Sequence, residues 1–224
     1  MKRLLVQIGT FIVTNLNLKG FITGKIFQGN SKYICVPGLN CYSCPGSLGS
    51  CPIGSLQAVI GSAKYHLSFY VIGFLTLFGT LLGRLICGWL CPFGLVQDLI
   101  YRIKVKKHEL PRKVDRPMRF LKYAILAVMV ILLPMVLTNA YGIAPPYFCE
   151  FICPSGTLFG GIPLLASNPA LRQAIGFLFS WKMALLILFL VSSLFIFRPF
   201  CKYICPLGAI YALFNKVSVY CMII

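Results

Sequence analysis

The sequence is poor in acidic side chains. Only four of its 224 residues are Asp or Glu, against 21 Lys or Arg, and charged residues of both signs make up 11% of the chain. No paired carboxylates, nucleotide-binding glycine loop or catalytic triad is present. The only two histidines, His66 and His108, fall on opposite sides of the topology predicted below and follow no CxxC, so they cannot pair on one haem. We therefore expect no substrate chemistry on this chain alone.

Apolar residues dominate the chain, at 58% of the sequence, with a mean hydropathy of +0.85. These values lie outside the range of an ordinary soluble domain and predict that lipid is the solvent. The net charge of +17 comes from basic clusters between apolar segments, which favours positive-inside membrane topology over nucleic-acid binding. No small-residue cleavage site follows the basic start, so we expect the first apolar segment to be retained rather than removed as a secretory signal.

Four apolar segments are predicted to cross the membrane as helices, at 4–22, 68–86, 120–137 and 181–197. The first contains Gln7 and Lys19, so an interfacial helix is its alternative. Nine basic residues against two acids between 102 and 122 predict a cytoplasmic segment. This places both termini inside, in a multi-pass protein of a bacterial or archaeal cytoplasmic membrane.

An internal repeat is built around one cysteine element. The pattern Arg-x-x-Cys-x-x-x-Cys-Pro-x-Gly occurs at 84–94 and again at 198–208 without a gap, a third Cys-x-x-x-Cys-Pro-x-Gly lies at 149–156, and Cys-Pro-x-Gly lies at 51–54. Parallel repeats bring equivalent loops together on the same membrane face. We predict an all-α membrane protein with four transmembrane helices in two parallel pseudo-repeats. Their bounds are 1–105 and 120–224, with a basic cytoplasmic loop at 106–119.

The cysteines fall at the ends of the predicted spans, in an inner and an outer group. Residues four apart on a helical turn can reach adjacent irons of one cubane. Proline after the second cysteine can begin a helix whose N-terminus favours a thiolate. We therefore predict two 4Fe-4S clusters, and expect Cys35 and Cys221 to be free thiols. The predicted inner ligands are Cys87, Cys91, Cys201 and Cys205; the predicted outer ligands are Cys44, Cys51, Cys149 and Cys153, with Cys41 close behind.

Two other classes of protein stay open at this point. A structural zinc-bound membrane scaffold is one, because zinc thiolate sites also accept short Cys-Cys spacings. A membrane thiol-disulfide oxidoreductase is the other, although its CxxC signature occurs only at Cys41 to Cys44. Arg84 and Arg198, each three residues before a cysteine pair, would either offset the charge of a cluster or anchor the chain at the membrane interface.

Several cysteine motifs together carry a family resemblance. With NCYSCPG at 40–46, SCPIG at 50–54, CGWLCPFG at 87–94 and CKYICPLG at 201–208, the chain resembles the membrane 4Fe-4S binding proteins typified by NapH and by the membrane part of NosR. The resemblance covers nearly the whole chain. It implies a transmembrane electron-transfer subunit of a larger redox complex, passing electrons between quinol or cytoplasmic donors and reductases or flavoproteins at the opposite face.

The resemblance also implies partners. Many relatives continue into a cytoplasmic ferredoxin domain, which this sequence lacks before it stops at Ile224. We therefore expect a separate ferredoxin-like or reductase subunit at the inner face. A flavoprotein or cytochrome at the outer face, quinone and membrane lipid complete the expected partners, and nucleic acid is not among them.

Overall fold

The computed structural model describes residues 2–62, 68–107, 111–139, 143–173 and 175–220, and within these ranges the chain contains helices and no strand. The predictions for His66, His108 and Cys221 lie outside the described residues. The helices are α1 Lys2–Thr14, α2 Leu18–Thr23, α3 Pro52–Gly61, α4 Phe69–Leu82, α5 Leu85–Trp89, α6 Pro92–Tyr101, α7 Arg112–Val136, α8 Tyr147–Phe151, α9 154–167, α10 Pro169–Gln173, α11 Phe177–Phe195, α12 Pro199–Tyr203 and α13 Pro206–Phe214.

Two of the described helices, α7 and α11, are long and apolar enough to cross a membrane. They contain 25 and 19 residues, and the most apolar 18-residue window of each has a mean hydropathy of 2.0. Only 17% of the apolar window of each helix is buried against the rest of the protein. The remaining apolar surface faces outward, which is the arrangement expected of helices that contact lipid. These helices cover the predicted spans 120–137 and 181–197.

The other two predicted spans are shorter or broken. The segment 4–22 divides into α1 and α2, because Asn15 donates from Nδ2 to Phe11 O at 3.0 Å and Asn17 donates from Nδ2 to Pro45 O at 3.0 Å. The segment 68–86 forms α4, which ends at Gly83 with φ +49°. At a rise of about 1.5 Å per residue, α4 is about 21 Å long, against a hydrocarbon core of about 30 Å. Four spans therefore stay a prediction.

The two halves repeat the same order of elements and pack crosswise. Helices α3, α4, α5 and α6 of the first half correspond in order to α9, α11, α12 and α13 of the second. Helix α6 packs on α11, and α13 packs on α4, so the last helix of each half lies against the equivalent helix of the other half. The predicted basic loop 106–119 is only partly a loop, because α7 begins at Arg112.

Two of the scarce acidic residues bind several basic side chains each. Asp98 accepts a hydrogen bond from Arg198 Nε at 2.7 Å and also pairs with Arg3. Asp115 pairs with Lys202 and with Arg119 four residues further along α7. Asp98 lies on α6 and Arg198 directly precedes α12, so the first of these clusters joins the two halves of the chain.

Candidate iron-sulfur sites

Four cysteines begin helices in the same way. Cys51, Cys91, Cys153 and Cys205 occupy the N-cap position with extended backbone, and the proline that follows each of them is the first residue of the helix. None of the four cysteines makes a side-chain hydrogen bond that caps its helix. The predicted placement of these sulfurs at helix N-termini is confirmed, and the helix dipole there favours a thiolate.

The structure brings the four predicted inner cysteines together. The thiols of Cys87, Cys91, Cys201 and Cys205 interact electrostatically with one another, and two come from each half. Burial, and then the neighbouring thiol of Cys91, raises the pKa of Cys87 to about 12. Because metal ligation needs the thiolate, a metal core bound here would have to displace protons from these thiols.

Arg198 is buried and donates hydrogen bonds to the backbone at the first inner cysteine. Its side chain is only 10% exposed, which rules out the surface-anchor role that the sequence left open for it. The guanidinium donates to Cys87 O at 2.7 Å and to Gly88 O at 3.2 Å, in addition to its pairing with Asp98. Gln7 donates to the same Gly88 carbonyl at 2.9 Å. The carbonyl groups of Cys87 and Gly88 thus accept hydrogen bonds from Arg198 and Gln7, which come from two other parts of the chain.

An apolar cavity holds the candidate outer site. It has a volume of about 660 Å³ and is lined by Cys41, Cys51, Cys149 and Cys153 together with Gly54 and Gly156. A Cβ atom on Gly54 would lie 3.9 Å from Cys149 Sγ, and one on Gly156 would lie 3.7 Å from Cys41 Sγ. Both glycines therefore lie directly beside a cysteine sulfur, and they keep larger side chains out of the cavity, as a cradle for a bulky inorganic group requires.

The ligands of the outer site stay a prediction, but the structure separates Cys44 from Cys41. Cys44 does not line the cavity, and its sulfur lies 3.5 Å from Asn15 Oδ1 at the break between α1 and α2. Cys41 does line the cavity. Cys35 also reaches the cavity wall, where its sulfur lies 3.5 Å from Ser50 Oγ. Of the two cysteines in the Cys-x-x-Cys motif, Cys41 is thus the one on the cavity wall with Cys51, Cys149 and Cys153.

The spacing of these side chains matters for the choice of metal. In the described ranges, no three Cys, His, Asp or Glu side chains form a group that could hold a metal ion. A mononuclear zinc site needs all its sulfurs at about 2.3 Å from one metal. A 4Fe-4S cluster is larger and its four thiolates bind different irons. The cavity lined by Cys41, Cys51, Cys149 and Cys153 has room for a group of this size.

A lysine accompanies each site, and neither was predicted from the sequence. Lys122, which was counted with the basic cytoplasmic residues, is only 4% exposed, and its charge acts on Cys87. Lys182 donates to Cys149 O at 3.1 Å and its charge acts on Cys153. Lys182 lies within the apolar helix α11, and an ionisable residue within a spanning helix is itself a functional signal.

The sequence reading also missed two buried glutamines. Gln57 donates from Nε2 to Cys149 Sγ at 3.4 Å, and Gln97 donates from Nε2 to Cys201 Sγ at 3.2 Å. Each glutamine follows an N-cap cysteine by six residues, in the pattern Cys-Pro-x-Gly-x-x-Gln at 51–57 and 91–97. This repeated pattern was the available signal.

The loop 35–51 connects the outer site to the inner one. A Cβ atom on Gly38 would lie 3.1 Å from Cys91 Cα, which is a tighter contact than most Cβ atoms make, so the loop approaches the inner cysteine element closely at this glycine. Tyr211, which is fully buried, donates to Pro37 O at 2.9 Å. Burial, and then thiols of both sites, Cys51 included, raise the pKa of Tyr211, which keeps its phenol neutral. Tyr211 therefore lies between the two sets of cysteines.

Several known proteins are similar in sequence to part of this chain. An uncharacterized protein of Methanocaldococcus jannaschii is 34% identical over 60% of this chain and 50% of its own length. The methylamine utilization ferredoxin-type protein MauN of Methylobacillus flagellatus is 33% identical over 65% of this chain and 43% of its own. The regulatory protein NosR of Stutzerimonas stutzeri is 28% identical over 55% of this chain and 15% of its own. The chain thus spans half or less of these relatives, and no solved structure matches it.

A family model described as a 4Fe-4S binding domain matches three segments of the chain, at 65–111, 124–167 and 177–219. Each segment contains one complete Cys-x-x-x-Cys-Pro element. Together the segments cover more than half of the sequence. The three matched segments contain all four inner cysteines and the pair Cys149 and Cys153 of the outer site, and the chain belongs to the 4Fe-4S binding domain family.

Proposed function

We propose that this chain is a membrane electron-transfer subunit that binds two 4Fe-4S clusters and passes electrons between them. The inner cluster is bound by Cys87, Cys91, Cys201 and Cys205, and the outer cluster by Cys41, Cys51, Cys149 and Cys153. A 4Fe-4S cluster, when bound, accepts and releases electrons with little change in structure. The residues of this chain that surround each cluster would supply the rest of the function.

One observation supports the proposal: the four inner cysteines lie near one another, while Cys41, Cys51, Cys149 and Cys153 line a separate cavity together with Cys35, and both groups draw on both halves of the chain. In each set, two cysteines are N-cap residues whose helix N-termini oppose the negative charge of a thiolate-bound cluster. The buried cations Lys122 and Arg198 near the inner set act in the same direction, as does the half-buried Lys182 near the outer set. Because the whole chain has only four acidic residues, few carboxylates are available to repel a negatively charged cluster at either site.

The proposed electron path between the clusters runs through the contact of α13 with the loop 35–51. Tyr211 on α13 lies against Pro37, whose neighbour Gly38 touches the backbone of Cys91. These packed groups exclude water between the sites, and their fixed positions keep the separation of the clusters constant. A phenol that stays neutral gives up no proton as the charge of either cluster changes.

The proposed setting is a membrane. Helices α7 and α11 span it, and we include α1 with α2, and α4, as the two further spans of a four-helix bundle. Basic residues between α6 and α7 place that end at the cytoplasmic face. The partners proposed are a ferredoxin-like or reductase subunit at this face and a flavoprotein, cytochrome or quinone at the other. The relative MauN, described as a ferredoxin-type protein, supports the redox role.

The test is anaerobic purification in detergent, followed by iron and acid-labile sulfide analysis, zinc analysis and redox-titrated EPR. The proposal predicts iron and sulfide for two clusters per chain and two signals that appear on reduction. A zinc-bound, iron-free protein would instead be the structural scaffold, and a colourless protein with a reducible disulfide would be the oxidoreductase. Iron for a single cluster would overturn the two-cluster arrangement while leaving the family intact.

A further inference from the structure

The two glutamines that donate to cysteine sulfurs form a matched pair. Gln57 lies on α3 and Gln97 on α6, both are fully buried, and each follows the N-cap cysteine of its own helix by six residues. Each amide donates across the pseudo-repeat, to the first cysteine of a pair in the second half: Cys149 for Gln57 and Cys201 for Gln97. The same contact thus occurs once at each site.

The second half of the chain has no counterpart of these amides. The residues six positions after Cys153 and Cys205 are Phe159 and Tyr211. A phenyl ring has no hydrogen to donate, and the hydroxyl of Tyr211 donates to Pro37 O instead of to sulfur. Each set of four cysteines therefore receives a side-chain amide on one sulfur, always from the first half.

The orientation of the amides follows from their partners. Gln57 Oε1 accepts the backbone N–H of Phe148 at 3.0 Å, so its NH₂ group must face Cys149. Gln97 Oε1 is buried without a hydrogen-bond partner among the described residues. A cluster-bound thiolate has no proton to donate, so it accepts from an amide N–H and repels an amide oxygen. Gln97 therefore points its NH₂ group at Cys201 when the site is loaded, even though its oxygen stays unpaired.

We propose that Gln57 and Gln97 set the reduction potentials of the outer and inner clusters, respectively, by donating an N–H···S hydrogen bond to one ligand sulfur each. This inference rests on the proposed function. A hydrogen bond to sulfur stabilises the reduced, more negative state of a cluster and raises its potential. The effect is strong here because both amides are excluded from water. Neither residue is a ligand, and both act through the sulfur they contact.

The experiment is a potentiometric EPR titration of the purified, loaded protein and of the variants Gln57→Leu and Gln97→Leu. Leucine keeps most of the side-chain volume and removes the donor. We expect Gln97→Leu to lower the potential of the inner cluster alone and Gln57→Leu that of the outer cluster alone. A tenfold change in the balance of oxidised and reduced forms corresponds to about 59 mV for one electron, and we expect a shift of about that size.

Each glutamine variant is the control for the other, and Phe159→Leu is the matched control for a change of packing at the equivalent position of the second half. A second readout is the exchangeable deuteron that ENDOR detects near the reduced cluster after transfer to D₂O, which Gln97→Leu should remove. Clusters that are present with unshifted potentials would overturn this inference and leave the proposed function intact. A wild-type protein without clusters would overturn the proposed function itself.

If Gln57→Leu fails to fold because it leaves the Phe148 N–H unpaired, Gln97→Leu still decides the matter. It breaks no hydrogen bond other than the one to sulfur. Equal shifts of both potentials in either variant would also contradict the proposal, since a general loosening of the core, and not a local hydrogen bond, would then be the cause.

Discussion

Asp98 offers a direct test of how the inner site is supported, because two arginines bind the same carboxylate in different surroundings. The Arg198 side chain is 10% exposed and the Arg3 side chain is 43% exposed. Removing one partner of a buried ion pair costs about 3–5 kcal/mol, whereas an exposed pair contributes about 0–1 kcal/mol. We therefore predict that Arg198→Gln destabilises the protein by about 3 kcal/mol, the lower end of the range, because Arg3 and Gln7 still contact Asp98. Arg3→Gln should cost less than about 1 kcal/mol.

Arg198→Gln should also lower the occupancy of the inner metal site. Arg198 is a donor to Cys87 O and Gly88 O, so Arg198→Gln removes the support of an inner ligand, and we expect a lower occupancy of the inner cluster than of the outer. The assay is denaturant unfolding in detergent micelles together with EPR of both clusters, for Arg198→Gln, Arg3→Gln and Asp98→Asn. Equal unfolding free energies for the two arginine variants, or equal loss of both clusters, would refute the reasoning from burial.

Three further predictions concern the outer site and the link between the sites. Cys41→Ser should remove the outer cluster, whereas Cys44→Ser should leave both clusters in place, as measured by iron analysis and EPR. The reverse result would show that Cys44 is the ligand. Gly156→Val places a branched side chain beside Cys41 Sγ, so the outer cluster alone should be lost, and an unchanged iron content would contradict the cradle. Tyr211→Phe should keep both clusters but lower the unfolding free energy by about 1 kcal/mol through the lost bond to Pro37 O, and no change in unfolding would contradict that contact.

The helix-starting cysteines were predictable from sequence because local chemistry determines them. A proline lacks the N–H that a helix interior needs, so it suits the first position of a helix, and the cysteine before it becomes the N-cap. The grouping of the inner cysteines followed from the repeat, since equivalent elements of parallel halves meet at one face. Neither inference needed knowledge of distant contacts.

The choice between Cys41 and Cys44 could not be made from the sequence, because both lie in one short motif at similar distances from Cys51. It depends on Asn15, whose Oδ1 lies beside the Cys44 sulfur, and on the cavity that Cys41 enters. Asn15 also marks the break between α1 and α2, which hydropathy alone had treated as one span. The position of Cys41 at the cavity and the break between α1 and α2 both depend on contacts between segments distant in the chain.

The burial of charged residues was likewise not predictable from local patterns. Lys122 belongs to a run of basic residues that positive-inside topology explains well, yet its side chain turns inward to the inner cysteines. Whether this residue of α7 faces solvent or core depends on how α7 packs against α12 and α13. By contrast, the spacing of Gln57 and Gln97 was visible in the sequence, and comparing the two Cys-Pro-x-Gly-x-x-Gln segments would have identified them.

The most direct test of the two-site account is iron anomalous-difference density from crystals of the anaerobically purified protein. The account predicts two strong peaks in each chain, both buried between the halves. It is contradicted by a single peak, by a peak at the Cys44 sulfur, or by density at the absorption edge of zinc in place of iron. The expected ligands are Cys87, Cys91, Cys201 and Cys205 at one peak and Cys41, Cys51, Cys149 and Cys153 at the other.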